Sequence, residues 1–359
     1  MRKERLFVRN FEAGAHLETF LVAAVASILI IRLFLKVTGY PKLGGVGLHI
    51  AHVLWGGLLM AAAILMLLLF LGKSRERVAV VAGGVGFGYF IDEVGKFLTN
   101  DNDYFFRPSV AVMYVVFILI VVSVRSIQAA GFRTDLEYLM NAVRELEEIA
   151  WRNIDEEEKR KIQFYLSRSP SGHPLVAPLK EVINKVEVSQ ARPPGPTKRL
   201  KAALHVAYRK IASSSWFHHA IVIFFLFQLA VNLAYIIVLV FFKGLGWKNI
   251  LSVGVFDRVA SNLETLTFVD WAELASSVIS AAFVFLGILF LPRNRLLALG
   301  MFERAVLVSI FLTQVFVFYK EQFGALLGLI INLLILAALR FMIEKEQFAV
   351  ISLVRGRGD

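Results

Sequence analysis

Eight apolar runs, each near the roughly 20 helical residues that cross a bilayer, dominate this sequence and restrict its possible folds. The chain is 57% hydrophobic, which is more apolar than a soluble domain. We therefore predict an all-α, polytopic integral membrane protein with about eight transmembrane helices. The runs occupy residues 17–38, 47–72, 78–98, 108–127, 216–242, 272–291, 297–319 and 323–342.

The runs form two groups of four, separated by a segment with helix signals of its own. Thr134 with Glu137 and Asp155 with Glu158 match the capping box, and Leu136–Leu146 carries one apolar face. A third short helix is predicted within 174–187. We expect these helices to join two copies of the chain in a homo-oligomer. The predicted domains are 1–16 (N-terminal segment), 17–127 (four helices), 128–215 (cytoplasmic helical insertion), 216–342 (four helices) and 343–359 (tail).

Basic residues are concentrated on one side of the predicted membrane. Thirty of the 39 Lys and Arg residues lie in the N-terminal segment, alternate loops, the insertion and the tail. The positive-inside rule then places both termini in the cytoplasm of a multi-pass inner (plasma) membrane protein. The net charge of +11 follows mostly from this topology, so membrane lipids are the expected partners and nucleic acid is not. The lack of cysteine excludes disulfides and thiolate metal sites.

Ionisable residues interrupt the first three runs at a similar depth, near the predicted outer face. His49 and His52 open the second run, while Asp92 and Glu93 lie in the outer third of the third run. An ionisable side chain in hydrocarbon costs at least a few kcal/mol, so each should have a partner and a purpose. The residues expected to bind a ligand or ion at this site are Arg32, Lys96, Asp101 and Asp103.

The spacing of these residues is compatible with a metal site. His49 and His52 are three residues apart, so on a helix they point the same way, as two ligands of one metal would. Asp92 or Glu93 would complete the shell, and zinc, iron, manganese or calcium is the expected ion. In the alternative interpretation, Asp92 and Lys96 neutralise each other, the histidines lie at the interface, and 100–103 is a solvated turn.

Glycines in the second and third runs permit two interpretations. Val85-Gly86-Phe87-Gly88 is similar to the filter signature of potassium channels, but it lacks the threonine that normally precedes it. Gly84 and Gly88, together with Gly56 and Gly57, also fit the small-residue pattern of closely packed membrane helices. We therefore predict that these glycines serve helix packing.

Short similarities between the two halves suggest a parallel duplication. Phe90–Glu93 is similar to Phe318–Glu321, and the ends of the second and sixth runs are also similar. With a one-residue shift, Asp270 and Glu273 would correspond to His49 and His52. Apolar segments match by chance easily, so eight independent spans with similar ends are the favoured interpretation.

Three classes of function fit this sequence. The first, which the sequence favours, is a transporter or channel for a small ion or solute that uses the outer polar residues. The second is a membrane-embedded, metal-dependent hydrolase or transferase for a lipid or outer-face substrate, with Glu93 or Asp92 as the catalytic general base. The third is a sensor or scaffold that signals through the helices of the insertion.

Overall fold

The structure, a computed structural model, is built of helices. It describes residues 7–39, 52–100, 103, 104, 106–129, 134–150, 153–188 and 267–355, with scattered positions between 199 and 234. These residues include no strand, and five of their helices are long and apolar enough to cross a membrane. The five are Ala13–Thr38, His52–Leu69, Pro108–Ala129, Phe268–Phe290 and Arg295–Gln347. The all-helical class is therefore confirmed, and the five apolar helices are compatible with a membrane protein. The predicted count of eight spans stays a prediction, and most of the predicted run 216–242 lies outside the described residues.

The chain divides into two compact units, Met1–Phe106 with Val115–Pro194 and Arg107–Tyr114 with Gly195–Asp359. We number the helices of the described residues in chain order. They are α1 (Ala13–Thr38), α2 (His52–Leu69), α3 (Lys73–Asp92), α4 (Val94–Leu98), α5 (Pro108–Ala129), α6 (Asp135–Leu146), α7 (Glu156–Ser167), α8 (Val176–Lys185), α9 (Phe268–Phe290), α10 (Arg295–Val308), α11 (Gln314–Glu321) and α12 (Leu326–Arg355).

In the first unit, α3 packs along both α1 and α2. It runs parallel to α1, because Phe20 lies beside Gly84 and Arg32 lies beside Asp92. It runs antiparallel to α2, because the start of α2 contacts the end of α3. One consequence is that the first turns of α1 and α3 lie at the same end of the unit.

Glycines bring α3 against α1 at backbone distance. A Cβ on Gly84 would lie 2.5 Å from the carbonyl oxygen of Phe20, and one on Gly88 would lie 2.5 Å from that of Ala24. No side chain fits at such distances, so these positions require glycine. The predicted packing role of Gly84 and Gly88 is therefore confirmed.

The contact between α3 and α2 follows the same rule. A Cβ on Gly86 would lie 2.6 Å from the carbonyl oxygen of Gly56, and the reverse distance is also 2.6 Å. The motif Val85–Gly88 lies within the continuous helix α3, as expected for helix packing. A selectivity filter would instead present its backbone carbonyls to an ion. Among the described residues, nothing lies within 4 Å of a Cβ built on Gly57, so the predicted packing role is wrong for Gly57 in this part of the chain.

The predicted run 78–98 is divided into two helices. α3 ends at Asp92, and after Glu93 the chain continues as the five-residue helix α4. The first turn of α3 carries Lys73, Arg75 and Glu76. α3 is therefore less apolar than the five helices that are long and apolar enough to cross a membrane. The break places the two neighbouring carboxylates at a helix junction.

Helices α6, α7 and α8 form a small domain with its own core, which we call the α6–α8 domain. Capping boxes at Thr134 and Asp155 begin α6 and α7, as predicted, and α8 lies inside the predicted range 174–187. Apolar side chains from all three helices, together with Ile154 just before α7, are buried in one core: Leu139, Ala142, Ile154, Ile162, Tyr165, Leu166, Val176 and Ile183. Phe11, which precedes α1, packs against the same core and joins the domain to the start of the membrane helices.

The second unit contains a pair of antiparallel hairpins. α9 packs on α10, which continues through the π-helical turn Ser309–Thr313 into α11. A left-handed residue, Gln322, then reverses the chain. Because Arg340 of α12 pairs with Glu303 of α10 at 2.9 Å, α12 runs back along α10. The apolar stretch Arg295–Gln347 is therefore a hairpin whose arms match the predicted runs 297–319 and 323–342.

A glycine substitution tests the close contact between α1 and α3. Gly84→Ala should lower the free energy of unfolding by about 1–3 kcal/mol, because its methyl group overlaps the Phe20 carbonyl. Gly57→Ala is the matched control, since a Cβ there meets nothing within 4 Å. Thermal unfolding in one detergent compares them, and equal melting temperatures would contradict the packing described here.

Candidate functional site

Asp92 is fully buried at the end of α3 and receives three hydrogen bonds. Arg32 of α1 donates from Nε to Oδ1 at 2.5 Å, and the Tyr104 hydroxyl donates to Oδ2 at 2.6 Å. The His52 Nε2 atom lies 3.2 Å from the same Oδ2. The relative exposure of Asp92 is 0%, so this carboxylate depends on these partners for charge compensation.

Glu93, which is 1% exposed, faces a second set of partners. The backbone N–H of Val53 donates to its Oε2 at 2.8 Å, and the Lys96 ammonium contacts its Oε1. The His52 Nδ1 atom is 3.6 Å from Oε1. His52 therefore lies between the two carboxylates, with one ring nitrogen toward each.

Tyr104 completes the site. Its ring lies 5.1 Å from the Arg32 guanidinium carbon and 5.5 Å from the Lys96 ammonium nitrogen, as measured to the ring centroid. Burial, and next the charge of Asp92, raise the pKa of Tyr104 above its usual range, so its hydroxyl stays protonated and donates. Sequence reasoning missed Tyr104, although an aromatic residue after a polar turn at a predicted membrane interface was an available signal.

We call this group the Asp92 cluster. Its members are Arg32, His52, Asp92, Glu93, Lys96 and Tyr104. Two carboxylates face two basic side chains, so the formal charge is balanced before His52 is counted. The cluster ties α1, the start of α2, the α3–α4 junction and the segment around residue 104 into one contact.

Several predicted site residues are placed differently from expectation. His49 and Asp101 lie outside the described residues. Lys96 contacts Glu93, not Asp92 as the alternative interpretation had it, and the helix breaks at Glu93. Asp103 belongs to the turn before Tyr104, where its N–H donates to the Thr99 hydroxyl at 2.7 Å.

The described part of the chain does not support the predicted metal site. No group of three or more His, Asp or Glu side chains in it could hold a metal ion. The oxygens of Asp92 and Glu93 accept hydrogen bonds from Arg32, Tyr104, Lys96 and a backbone N–H, and adjacent cations disfavour a metal ion.

A second charged group lies at the opposite ends of α1 and α3. We call it the Lys73 network, and it consists of Glu12, Lys73, Glu145 and Lys161. The Lys73 ammonium is 3.0 Å from Glu12 and 2.6 Å from Glu145, while the Lys161 ammonium is 2.8 Å and 2.6 Å from the same carboxylates. Each lysine thus bridges both glutamates, which joins the starts of α1 and α3 to α6 and α7.

Further contacts hold α6 against the ends of the membrane helices. Arg9 pairs with Glu137 at 2.8 Å and also donates to the backbone oxygen of Gln128 in the last turn of α5. At the other end of α6, Arg144 pairs with Glu76 of α3. The first turn of α6 is therefore fixed to α5, and its last turn is fixed to α3.

These contacts shift the titration of two carboxylates outside the membrane helices. The hydrogen bond from Arg9 is the main cause that lowers the pKa of Glu137 to about 2. Burial alone would raise the pKa of Glu12, but hydrogen bonds from Lys161 and Lys73 outweigh it and lower that pKa to about 2. Both groups therefore stay charged down to strongly acidic pH.

The second unit has its own charged contact. Lys320 of α11 lies 2.9 Å from both Asp270 and Glu273 in the first turns of α9. In the first unit, the basic residue His52 at the start of α2 contacts the acidic residue Asp92 at the end of α3. In the second unit, the acidic residues are at the start of α9 and the basic residue is at the end of α11. The acidic and basic residues thus occupy opposite arms in the two units. This arrangement is compatible with a parallel duplication, which stays a hypothesis beside the favoured interpretation of independent spans.

No protein-family model matches this chain, and comparison with curated proteins and with solved structures yields no match either. The function proposed below therefore rests on the geometry of the Asp92 cluster and the Lys73 network.

Removal of one partner tests the Asp92 cluster. Arg32→Ala leaves Asp92 buried without its cation, and breaking a buried pair in this way costs about 3–5 kcal/mol. The melting temperature in detergent should fall markedly, and the double variant Arg32→Ala/Asp92→Asn should recover part of the loss. Lys36→Ala, one turn further along α1 at an exposed position, is the control and should have little effect. Equal effects of the two alanine variants would contradict the pairing.

Acid should release the α6–α8 domain. Because Glu12 and Glu137 have lowered pKa values, they contribute stability that is present above the ordinary value of 4.5 and lost as pH falls toward about 2. The melting temperature of the wild type should therefore drop across this window. Glu12→Gln/Glu137→Gln should be less stable at neutral pH and show a flatter pH profile, whereas Glu157→Gln, at an exposed position of α7, should retain the wild-type profile. A wild-type profile in the double variant would contradict this assignment.

Proposed function

We propose that this protein is a membrane sensor that couples the state of the Asp92 cluster to the α6–α8 domain. One observation supports the proposal most strongly: α1 and α3 carry the Asp92 cluster at one end and the Lys73 network at the other. Arg32 and Asp92 belong to the first group, and Glu12 and Lys73 to the second. With 26 residues, α1 is about 39 Å long, so the two groups lie far apart on one pair of helices.

The packing of α1 on α3 suits the transmission of movement. Gly84 and Gly88 place the two backbones in direct contact between the charged groups, with no flexible side chains to absorb a shift. A displacement of α1 relative to α3 at Arg32 would therefore also change the spacing of Glu12 and Lys73. The domain held by the Lys73 network would respond to that change.

His52 is the member of the Asp92 cluster that lies between the two carboxylates, with Nε2 toward Asp92 and Nδ1 toward Glu93. Neutral imidazole has one N–H, whereas the protonated ring has two and can donate to both Asp92 and Glu93. Protonation would thus draw the first turn of α2 onto both carboxylates, in competition with Arg32 and Lys96. With the orientation predicted from the basic residues, this input comes from the outer face.

The same geometry argues against the other two classes in the first unit. A transport path along α3 would need space beside it, yet Gly84, Gly86 and Gly88 bring its backbone against both neighbours. A general base needs a free carboxylate within reach of substrate. Asp92 and Glu93 are instead buried and bonded to cations, which favours sensing over catalysis.

Hydrogen exchange measured on the full-length protein in lipid tests the coupling. Asp92→Asn weakens the contact with Arg32, and exchange in α6 and α7 should rise severalfold, because coupling between distant sites is usually about 0.5–2 kcal/mol. Asp270→Asn makes the same chemical change in the second unit and should leave α6 and α7 unchanged.

Exchange in α9 and α10 serves as an internal reference and should be the same in the wild type and in Asp92→Asn. If Asp92→Asn loosens the end of α3 while exchange in α6 and α7 stays at the wild-type rate, the two groups are not coupled and the proposal is wrong. His52→Ala offers a second way to perturb the cluster without leaving a buried charge unpaired, and it should act in the same direction.

A further inference from the structure

The four residues before α1 contact the α6–α8 domain in a defined conformation. We call Arg9, Asn10, Phe11 and Glu12 the N-terminal motif. The Asn10 side-chain oxygen accepts a hydrogen bond from the Glu12 N–H at 2.9 Å, and the Asn10 carbonyl accepts one from the Ala13 N–H at 3.2 Å. Asparagine favours such turns because its side chain bonds the backbone two residues further on. The motif therefore presents its side chains from a defined backbone turn.

Helix α6 binds the backbone of the N-terminal motif through one side-chain amide. Asn141 Nδ2 donates to the Arg9 carbonyl oxygen at 2.9 Å, and Asn141 Oδ1 accepts from the Phe11 N–H at 3.0 Å. Main-chain hydrogen bonds of this kind give a peptide-binding site its affinity, and contacts to side chains give it specificity. Asn141 is only 6% exposed, so its amide needs bonded partners, and the motif supplies two of them.

The charged ends of the motif meet opposite charges on the domain. The Arg9 guanidinium donates from Nε and Nη2 to the two carboxylate oxygens of Glu137, both at 2.8 Å. This two-point geometry is specific for arginine, because lysine has no planar fork of donors. At the other end, the Glu12 carboxylate lies 2.8 Å from the Lys161 ammonium of α7. The order of charges along the motif is therefore matched by opposite charges on the domain.

An aromatic contact lies between these two charged contacts. The Phe11 ring meets the ring of Tyr138 from α6 and that of Tyr165 from α7, at centroid distances of 5.2 Å and 5.5 Å. The interplanar angles are 76° and 78°, the edge-to-face geometry that aromatic pairs prefer. Phe11 also packs against the core of the domain, so it is the apolar anchor of the motif.

We propose that the α6–α8 domain is a peptide-binding module and that the N-terminal motif is its ligand, bound within the same chain. The recognised peptide has the pattern Arg-x-Phe-Glu: Glu137 recognises the arginine, the two tyrosines recognise the aromatic ring, and Lys161 recognises the carboxylate. Packing of a connecting segment requires only apolar contact, whereas this site adds two buried polar side chains, Glu137 and Asn141, that bind the segment. Because the ligand directly precedes α1, its binding closes the site to other peptides and joins the domain to α1.

Peptide binding to the full-length protein in detergent tests the proposal. A fluorescent peptide with the sequence of residues 7–13 should bind to the variant Arg9→Ala/Phe11→Ala, in which the internal motif is weakened. It should bind to the wild type at least about tenfold more weakly, because the tethered motif competes at an effective concentration of about 1 mM. Fluorescence anisotropy gives both dissociation constants.

Matched controls separate recognition from non-specific adsorption. A peptide with the Arg9→Ala change should bind to the variant about tenfold more weakly, since it loses two charge-assisted hydrogen bonds. A peptide with the Val8→Ala change, at an exposed position, should bind normally. In the protein, addition of Glu137→Gln to the variant should weaken binding, and addition of Glu157→Gln at an exposed position of α7 should not.

Each other result has a definite meaning. Three results would overturn the proposal: no peptide binding to the folded variant, equal dissociation constants for wild type and variant, or equal binding of the Arg9→Ala peptide. If loss of Phe11 unfolds the domain, which thermal unfolding would show, Arg9→Ala alone replaces the double variant, with the same peptides and the same criteria. None of these proteins changes the Asp92 cluster, so the test can fail while the sensor proposal stands, and the reverse also holds.

Discussion

The burial of two adjacent carboxylates at the end of α3 is the constraint on which the first unit depends. Asp92 and Glu93 are 0% and 1% exposed, and buried charges of this kind persist only when cations and N–H donors surround them. Arg32 must therefore come from α1, Lys96 from α4 and a backbone N–H from the first turn of α2. The requirement fixes the register of three helices at once, because a shift of one turn in any of them would leave a carboxylate without its partner.

Glycine packing is what allows this requirement to be met. Arg32 reaches Asp92 only if α1 and α3 approach closely, and Gly84 and Gly88 remove the side chains that would hold them apart. Charge pairing sets the register between α1 and α3, and small residues set the distance between them. This arrangement suits a membrane, where apolar side chains gain little from contact with one another. The same close contact lies between the Asp92 cluster and the Lys73 network.

Sequence patterns predicted the parts of this arrangement that depend on local rules. The capping boxes at Thr134 and Asp155 were predicted because they involve residues three apart, and the packing role of Gly84 and Gly88 because small residues four apart share one helix side. The alternative pairing of Lys96 with Asp92 was wrong, because that spacing assumed one continuous helix and the helix breaks at Glu93. Tyr104 was missed for a related reason, since only the three-dimensional fold brings that loop residue over Arg32.

The charged groups also explain why α6 exposes apolar side chains. Lys73 and Lys161 need carboxylates in a half-buried site, and α6 supplies Glu145 on the side that faces the membrane helices. The polar side of α6 faces the membrane helices, and one apolar side faces the core of the α6–α8 domain. The side that remains lies at the surface and carries Met140 with its apolar neighbours Leu136 and Val143. The binding of this domain to the membrane helices and the exposure of an apolar face on it are therefore two results of one sequence pattern.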